Sequence, residues 1–264
     1  MEALLPVLAT SALALAGALV ALWLLSLWLR DASIIDIFWG IGFVIVAWIA
    51  FANGDGTPTR KVLIAGATTI WGLRLAGYLA WRNLGHGEDP RYQRMRAHHG
   101  DRFWLVSLYS VFGLQGALTL VVSLPVQLGQ AIPGPPLGAF DGLGALLVVI
   151  GLTFETVGDL QLARFKADPE NEGRVMDRGL WRYTRHPNYF GDAVVWWGLG
   201  AMALAVPGGF VALLGPLVMT GLLLRVSGVA LLERSLRRSK PGYADYVART
   251  SAFVPWPPKD AAPR

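Results

Sequence analysis

Apolar residues run through this chain in long blocks, with the polar residues confined between them. Seven blocks have the length of a membrane-crossing helix, about 20 residues: 4–29, 34–52, 61–82, 103–124, 140–163, 189–206 and 208–232. The stretches Asn53–Pro58, Gly129–Gly138 and Pro207–Gly209 are rich in glycine and proline and predict short turns. Three stretches are polar and basic: 83–102, 164–188 and 233–264. The pattern predicts an all-α polytopic membrane protein, with seven transmembrane helices in a single domain over 1–255. An irregular tail over 256–264, disordered near its end, follows it. No internal repeat is evident.

Composition agrees with this reading. The chain has 264 residues, 54% of them hydrophobic and 16% charged, with a mean hydropathy of +0.45. A soluble domain carries about 25% charge. The first apolar block is too long for a cleaved signal peptide and lacks a basic leader, so it reads as a retained helix. The absence of cysteine excludes disulfides and thiolate metal sites. The net charge of +5 is explained by where the cations fall rather than by nucleic acid. Arg30, 82–102, 164–185 and the tail hold 1, 5, 6 and 7 basic residues, against Arg60 and Lys61 on the other side. Positive charge stays inside. The N-terminus is therefore expected outside and the C-terminus in the cytoplasm, in a bacterial inner membrane.

Beyond the first and last two residues of each block, six charges lie within the apolar blocks: Asp36, Arg74, Glu155, Asp159, Asp192 and Arg225. Such residues are costly in a bilayer and face a cavity or a partner. All six fall in or near the cytoplasmic half of their spans, which predicts a polar cavity open to the cytoplasm. Glu155 and Asp159 share one helix face. The structural alternative is a set of ion pairs between helices, Asp36–Arg74 and Asp159–Arg225. Asp36, Trp39 and Gly40 also share a face. Gly40 admits a close backbone or ligand, so the cluster is either a ligand wall or a helix-packing notch.

Gly87–Tyr92 combines carboxylates with Arg91, which can grip a phosphate, and Tyr92, which can stack on a base. The alternative is a solvated loop drawn to anionic lipid. His98 and His99 point apart on a helix, and His186 has no histidine or cysteine nearby, so no metal is expected. The densest signal is the run Gly179–Asp192. Arg182, Arg185 and His186 offer donors to phosphates, Asn188 can bond a base or ribose, and Pro187 opens a helix whose free N–H groups attract anions. A plain basic anchor has no need of His-Pro-Asn-Tyr-x-Gly-Asp.

That run resembles the C-terminal signature of the steroid 5-alpha-reductase superfamily, and the whole chain resembles its bacterial branch. The shared motifs are Asp36-Ile-Phe-Trp39-Gly40, Trp71-Gly-Leu-Arg74-Leu, Glu88-Asp-Pro-Arg-Tyr92 and Leu114-Gln115. The resemblance implies a seven-helix reductase that binds NADPH from the cytoplasmic side and reduces a lipophilic enone entering from the membrane. It implies cofactor contacts from Arg91, Tyr92, Glu155, Asp159, Asn188 and Arg225, with Lys166, Arg178 and Arg185 on phosphates. Trp39, Arg74, His186, Tyr189 and Asp192 complete the expected cofactor wall. Steroid reductases carry a Gln-Glu pair in span two and a tyrosine in span three. Here the pair is missing and Trp71, which cannot act as a general acid, stands at the tyrosine's place. Asp36 and Tyr78 are then the candidate proton donors.

Arg185-His-Pro-x-Tyr189-x-Gly191, Leu232-Glu233 and Tyr243-x-x-Tyr246 also resemble membrane methyltransferases of the isoprenylcysteine and phospholipid type, which use S-adenosylmethionine. Those usually carry paired glutamates where this chain has only Glu233. A third reading is a non-catalytic lipid-binding protein, with no dinucleotide-sized cavity and with its buried acids paired to arginines.

Overall fold

The computed structural model describes residues 3–226, 229, 233, 236 and 240–259. Among them helix predominates, and the one extended pairing is a single parallel bridge between Thr184 and Ser251. Five helices are long and apolar enough to cross a membrane. They are α1 (Leu4–Leu29), α2 (Ile34–Asn53), α3 (Pro58–Asn83), the Pro90–Val122 run and α8 (Ala139–Ala167). The Pro90–Val122 run comprises α4 (Pro90–His99), α5 (Phe103–Ser107), a π turn at Leu108–Gly113 and α6 (Leu114–Val122). After Ser123 comes the short α7 (Leu124–Ala131).

The last two expected spans are shorter. α9 (Pro187–Ala203) has 17 residues, about 26 Å of helix. The next apolar stretch, Gly209–Arg225, is broken into a 3₁₀ turn, α10 (Leu214–Gly221) and a π turn at Leu222–Val226. Residues 227–228 and 230–232, the end of the expected seventh span, lie outside the described residues, as do 260–264 of the tail. α11 (Tyr243–Arg249) closes the helical part.

The chain divides into two compact units, residues 1–143 with 199–215 and residues 144–198 with 216–264. In the first, α1 is apolar all round and buries one stripe, Val7, Ser11, Leu15, Leu19 and Ser26. Steps of four residues return to the same face of a helix. α2 and α3 meet at Gly40 and Gly72, where a Cβ on Gly40 would lie 2.3 Å from the Gly72 carbonyl oxygen. Lipid is as apolar as leucine, so close backbone packing, rather than escape from water, holds such helices together. Trp39, Phe43 and Trp71 continue the seam as edge-to-face rings 5.0 and 5.4 Å apart. Gly40 is therefore the packing notch of the two readings.

The N-terminal ends of α3 and α8 are joined by a fully buried ion pair. Arg60 donates through Nε to Asp141 Oδ1 at 2.7 Å and through Nη2 to Oδ2 at 2.9 Å. Asp141 also accepts from the Gly138 amide. Arg60 had counted only as an outside charge in the sequence.

In the second unit α8 and α9 run antiparallel along a glycine stripe. A Cβ on Gly151 would lie 2.5 Å from the Gly191 oxygen, one on Gly198 2.7 Å from the Gly144 oxygen, and Gly158 abuts Pro187 and Asn188. The seven-residue spacing of Gly144, Gly151 and Gly158 keeps them on one face, and it was readable in the sequence. This close approach brings the carboxylates of α8 against the start of α9.

Candidate functional site

Each unit gathers its own polar cluster. In the first, Asp89 caps α4 by accepting from the Arg91 amide at 2.8 Å, with Pro90 at the first helical position where its missing N–H costs nothing. The Arg91 guanidinium donates to Asp89 and, at 2.6 Å, to Asp36 Oδ2, while the Tyr92 hydroxyl donates to Asp36 Oδ1 at 2.8 Å. Glu88 accepts from Arg96 at 2.7 Å and from the Ala32 amide at 2.8 Å, which ties the loop to the start of α2. Burial pushes the Glu88 carboxyl up, but the Arg96 and Ala32 hydrogen bonds outweigh it and hold it below its usual value. For Asp89, burial likewise yields to the bonds from Arg91.

Asp36, Arg91 and Tyr92, expected to serve catalysis and cofactor, thus meet one another. Both Asp36 oxygens accept from neighbours, and Arg91 lies between two carboxylates. Tyr78 lies half-buried on α3, its ring 5.9 Å from Trp81 and under the Arg82 guanidinium. Arg74 is half-buried one turn before it.

The second unit carries the other cluster. Glu155, Asp159 and Asp192 are buried. Asp159 accepts from the Asn188 amide at 3.1 Å, and the Asn188 carbonyl oxygen accepts from the Tyr189 N–H. Next to them, Arg185 and His186 both address Glu233 Oε1, at 2.8 and 3.2 Å. Arg185 also donates to the carbonyls of Val247 and Thr250. Burial pushes the Glu233 carboxyl up, yet the hydrogen bonds from His186 and Arg185 bring it down to about 2. His186 is 1% exposed, stacks on Tyr189 at 5.5 Å, and its Nδ1 has no partner among the described residues. The tautomer that donates from Nε2 leaves Nδ1 as a buried acceptor.

Trp181 and Tyr246 frame this cluster. The Trp181 indole donates to the Gly158 carbonyl, and the Tyr246 hydroxyl donates to the Trp181 carbonyl. Burial raises the Tyr246 phenol well above its usual value, with Tyr243 adding to the effect. A cavity of about 120 Å³ opens beside these groups, with Lys166, Arg185, His186, Lys240, Tyr243 and Tyr246 in its wall. Its cations outnumber the single carboxylate at Glu233, so it favours an anion. A second cavity, about 260 Å³ between Trp48 and Ile70 in the first unit, is lined by apolar side chains and Thr69. Small-molecule pockets run from about 300 Å³ upward, so the 120 Å³ cavity is smaller than a usual ligand pocket.

Of the other expected site residues, Trp39 is half-buried and packs on Phe43, while Arg178 and Arg225 are exposed. Leu232 of the Leu232-Glu233 pair lies outside the described residues. Among the described residues no three His, Asp or Glu side chains gather as a metal site requires. Sequence reasoning missed the Arg185–Glu233 pair and Trp181, because 48 residues separate the first two and one tryptophan among 11 carries no signal.

A family model described as "Protein of unknown function (DUF1295)" matches residues 22–250. That is most of the chain, and the chain belongs to this family. No curated protein and no solved structure matches it.

Proposed function

We propose that this member of the DUF1295 family is a membrane-embedded, NADPH-dependent reductase acting on an activated double bond of a lipophilic substrate. The proposal includes seven spans in a bacterial inner membrane, with the C-terminus in the cytoplasm. The lopsided charge count supports that topology, and the 17 residues of α9 meet the lower limit of a span.

One observation carries the reading. Three carboxylates are buried on the α8–α9 seam, with the half-buried Asn188 beside them, in the same unit as a cation-lined cavity. Burying such groups costs stability unless they are paired or hold a ligand, and polar residues at membrane depth mark functional paths. The chemistry of the set fits a dinucleotide. Asn188, Glu155 and Asp159 suit hydroxyl and amide groups, and Lys166, Arg185 and His186 suit phosphates. When bound, the cofactor supplies the hydride. The protein orients it, neutralises its phosphates and excludes water. Asp159 fixes the Asn188 amide by accepting from it, and Glu233 fixes Arg185 and His186, so the donors are set in place before a ligand arrives.

A second reading has a specific observation behind it. Arg185 and Glu233, two pieces of the methyltransferase-like pattern, are bonded to each other, and Arg185 and Tyr246 both line the cavity. That supports S-adenosylmethionine as the competing ligand. The lipid-binding reading is supported by the modest cavity volume.

The discriminating experiment is thermal-shift and isothermal binding of NADPH, NADH and S-adenosylmethionine to purified protein. NADPH is expected to stabilise it, with affinity reduced about tenfold, ~1.4 kcal/mol, in Asn188→Ala. Binding of S-adenosylmethionine without NADPH would replace hydride transfer with methyl transfer. Binding of none of the three would leave the lipid-binding reading.

A further inference from the structure

The stretch 250–259 has no helix of its own, yet its backbone is fixed. The Arg185 N–H donates to Ser251 O at 2.9 Å, the Thr184 hydroxyl to Phe253 O at 2.8 Å, and the Trp256 N–H to Tyr183 O at 2.9 Å. The Lys259 N–H donates to Arg249 O at 2.9 Å. This ladder brings Phe253 onto the Phe190 ring, 6.0 Å away, and Phe190 in turn meets Phe154 at 5.1 Å. It leaves Val254 and Trp256 outward, 59% and 69% exposed, beside Tyr183 at 43%. A frayed tail can hide such side chains at will, whereas a pinned backbone holds them outward.

Two further features say what they face. Arg182, Arg249 and Lys259 are exposed around them, and of these Arg249 pairs with Asp177. The depth is set by the pairing with Tyr183, Thr184 and Arg185, which lie within four residues of the start of α9 at Pro187. The patch is therefore level with the N-terminal end of α9, where that span, on the proposed topology, meets water.

We propose that Tyr183, Val254 and Trp256, with Arg182 and Lys259, form a docking surface for the anionic headgroup layer of the surrounding membrane. Tryptophan and tyrosine concentrate at that layer because one end of each ring system is apolar and the other polar. Basic residues beside them are drawn to anionic lipid. The surface clamps the C-terminal segment onto the bilayer, and the same segment holds Arg185 in place through the Val247 and Thr250 carbonyls. This inference does not depend on which ligand the cavity takes.

The absence of cysteine makes the test clean. Trp256→Cys and, separately, Val254→Cys carry an environment-sensitive fluorophore in full-length protein reconstituted into vesicles. Glu172→Cys, exposed beyond the polar end of α8, is the water reference. Brominated phosphatidylcholine is expected to quench labels at 254 and 256 at least about twofold more than at 172, with the reverse order for aqueous iodide. Adding phosphatidylglycerol strengthens the lipid quenching, and Arg182→Glu with Lys259→Glu removes that increase. Iodide access at 254 and 256 equal to that at 172 would overturn the proposal. So would shielding from both quenchers, which would mean that protein covers the patch. Val254→Cys keeps Trp256, so misfolding of one variant leaves the other to decide.

Discussion

Arg60–Asp141 and Arg185–Glu233 are both buried arginine–carboxylate pairs, yet they are built for different purposes. In the first unit one guanidinium meets one carboxylate fork to fork, and both Asp141 oxygens are used. Nothing is left to offer a ligand. In the second, two donors, Arg185 and His186, converge on one oxygen of Glu233, and the cavity lies at their side. The first arrangement is a staple between helix ends. The second directs two donors at one carboxylate oxygen, beside a cavity whose wall also holds Lys166 and Lys240. Charge content alone would not separate the two.

The largest effect is expected at the staple. Asp141→Asn leaves Arg60 buried without its counter-charge and should cost about 3–5 kcal/mol, read as a drop in unfolding temperature in detergent. Replacing both partners, Arg60→Met with Asp141→Leu, should recover most of that loss. If Asp141→Asn unfolds like the parent protein, the pair is not the staple described.

Next comes Glu233→Gln. Arg185 keeps its bonds to the Val247 and Thr250 carbonyls, so the loss should be smaller, about 1–3 kcal/mol. Its effect on NADPH affinity should exceed that of Asp141→Asn, measured on protein that remains folded. Equal effects on binding would erase the distinction between the two pairs.

The acid limb of stability sharpens the comparison. The Glu233 carboxyl is held at about 2 in the folded protein against a usual 4.5. Its stabilisation is therefore complete above the unfolded value and is lost as pH falls from 4.5 through about 2. Unfolding temperature measured over that window should decline more steeply in the parent protein than in Glu233→Gln. Parallel curves would mean that Glu233 is not the group responsible.

The smallest effect is expected in the Asp36 cluster. The Arg91 side chain is 56% exposed, and solvent-screened pairs contribute about 0–1 kcal/mol. Arg91→Ala should change stability by no more than that and leave NADPH affinity unaltered. A tenfold loss of binding, about 1.4 kcal/mol, would make Arg91 a cofactor residue after all.

Much of the fold was legible because a bilayer restricts the choices. The apolar blocks at 4–29, 34–52 and 140–163 became α1, α2 and α8 with ends shifted by a few residues. The block at 103–124 also became helical, but it is joined to α4 and contains a π turn, which no residue type signals. The turn expected at Gly129–Gly138 begins three residues late, because α7 runs to Ala131 and is packed inside the first unit. Residues 256–259 carry no helix or strand. The pinning of the tail to Tyr183–Arg185 could not be foreseen, since the bonds are made by backbone groups that every sequence carries.

The same division holds for the site. From residue types and spacing alone, the chain declared itself a helical membrane protein, and it declared that Gly179–Asp192, Glu155 and Asp159 are too polar to face lipid. Periodicity and the cost of burying charge act along the chain, so they can be read along it. Tertiary structure decided which charge answers which. It gave Asp36 to Arg91 and Tyr92, Asp141 to Arg60, Asp159 to Asn188, and Glu233 to both Arg185 and His186. Ion pairs depend on separations of a few ångströms between residues tens of positions apart, and the packing of the elements, not the order of residues, sets those separations.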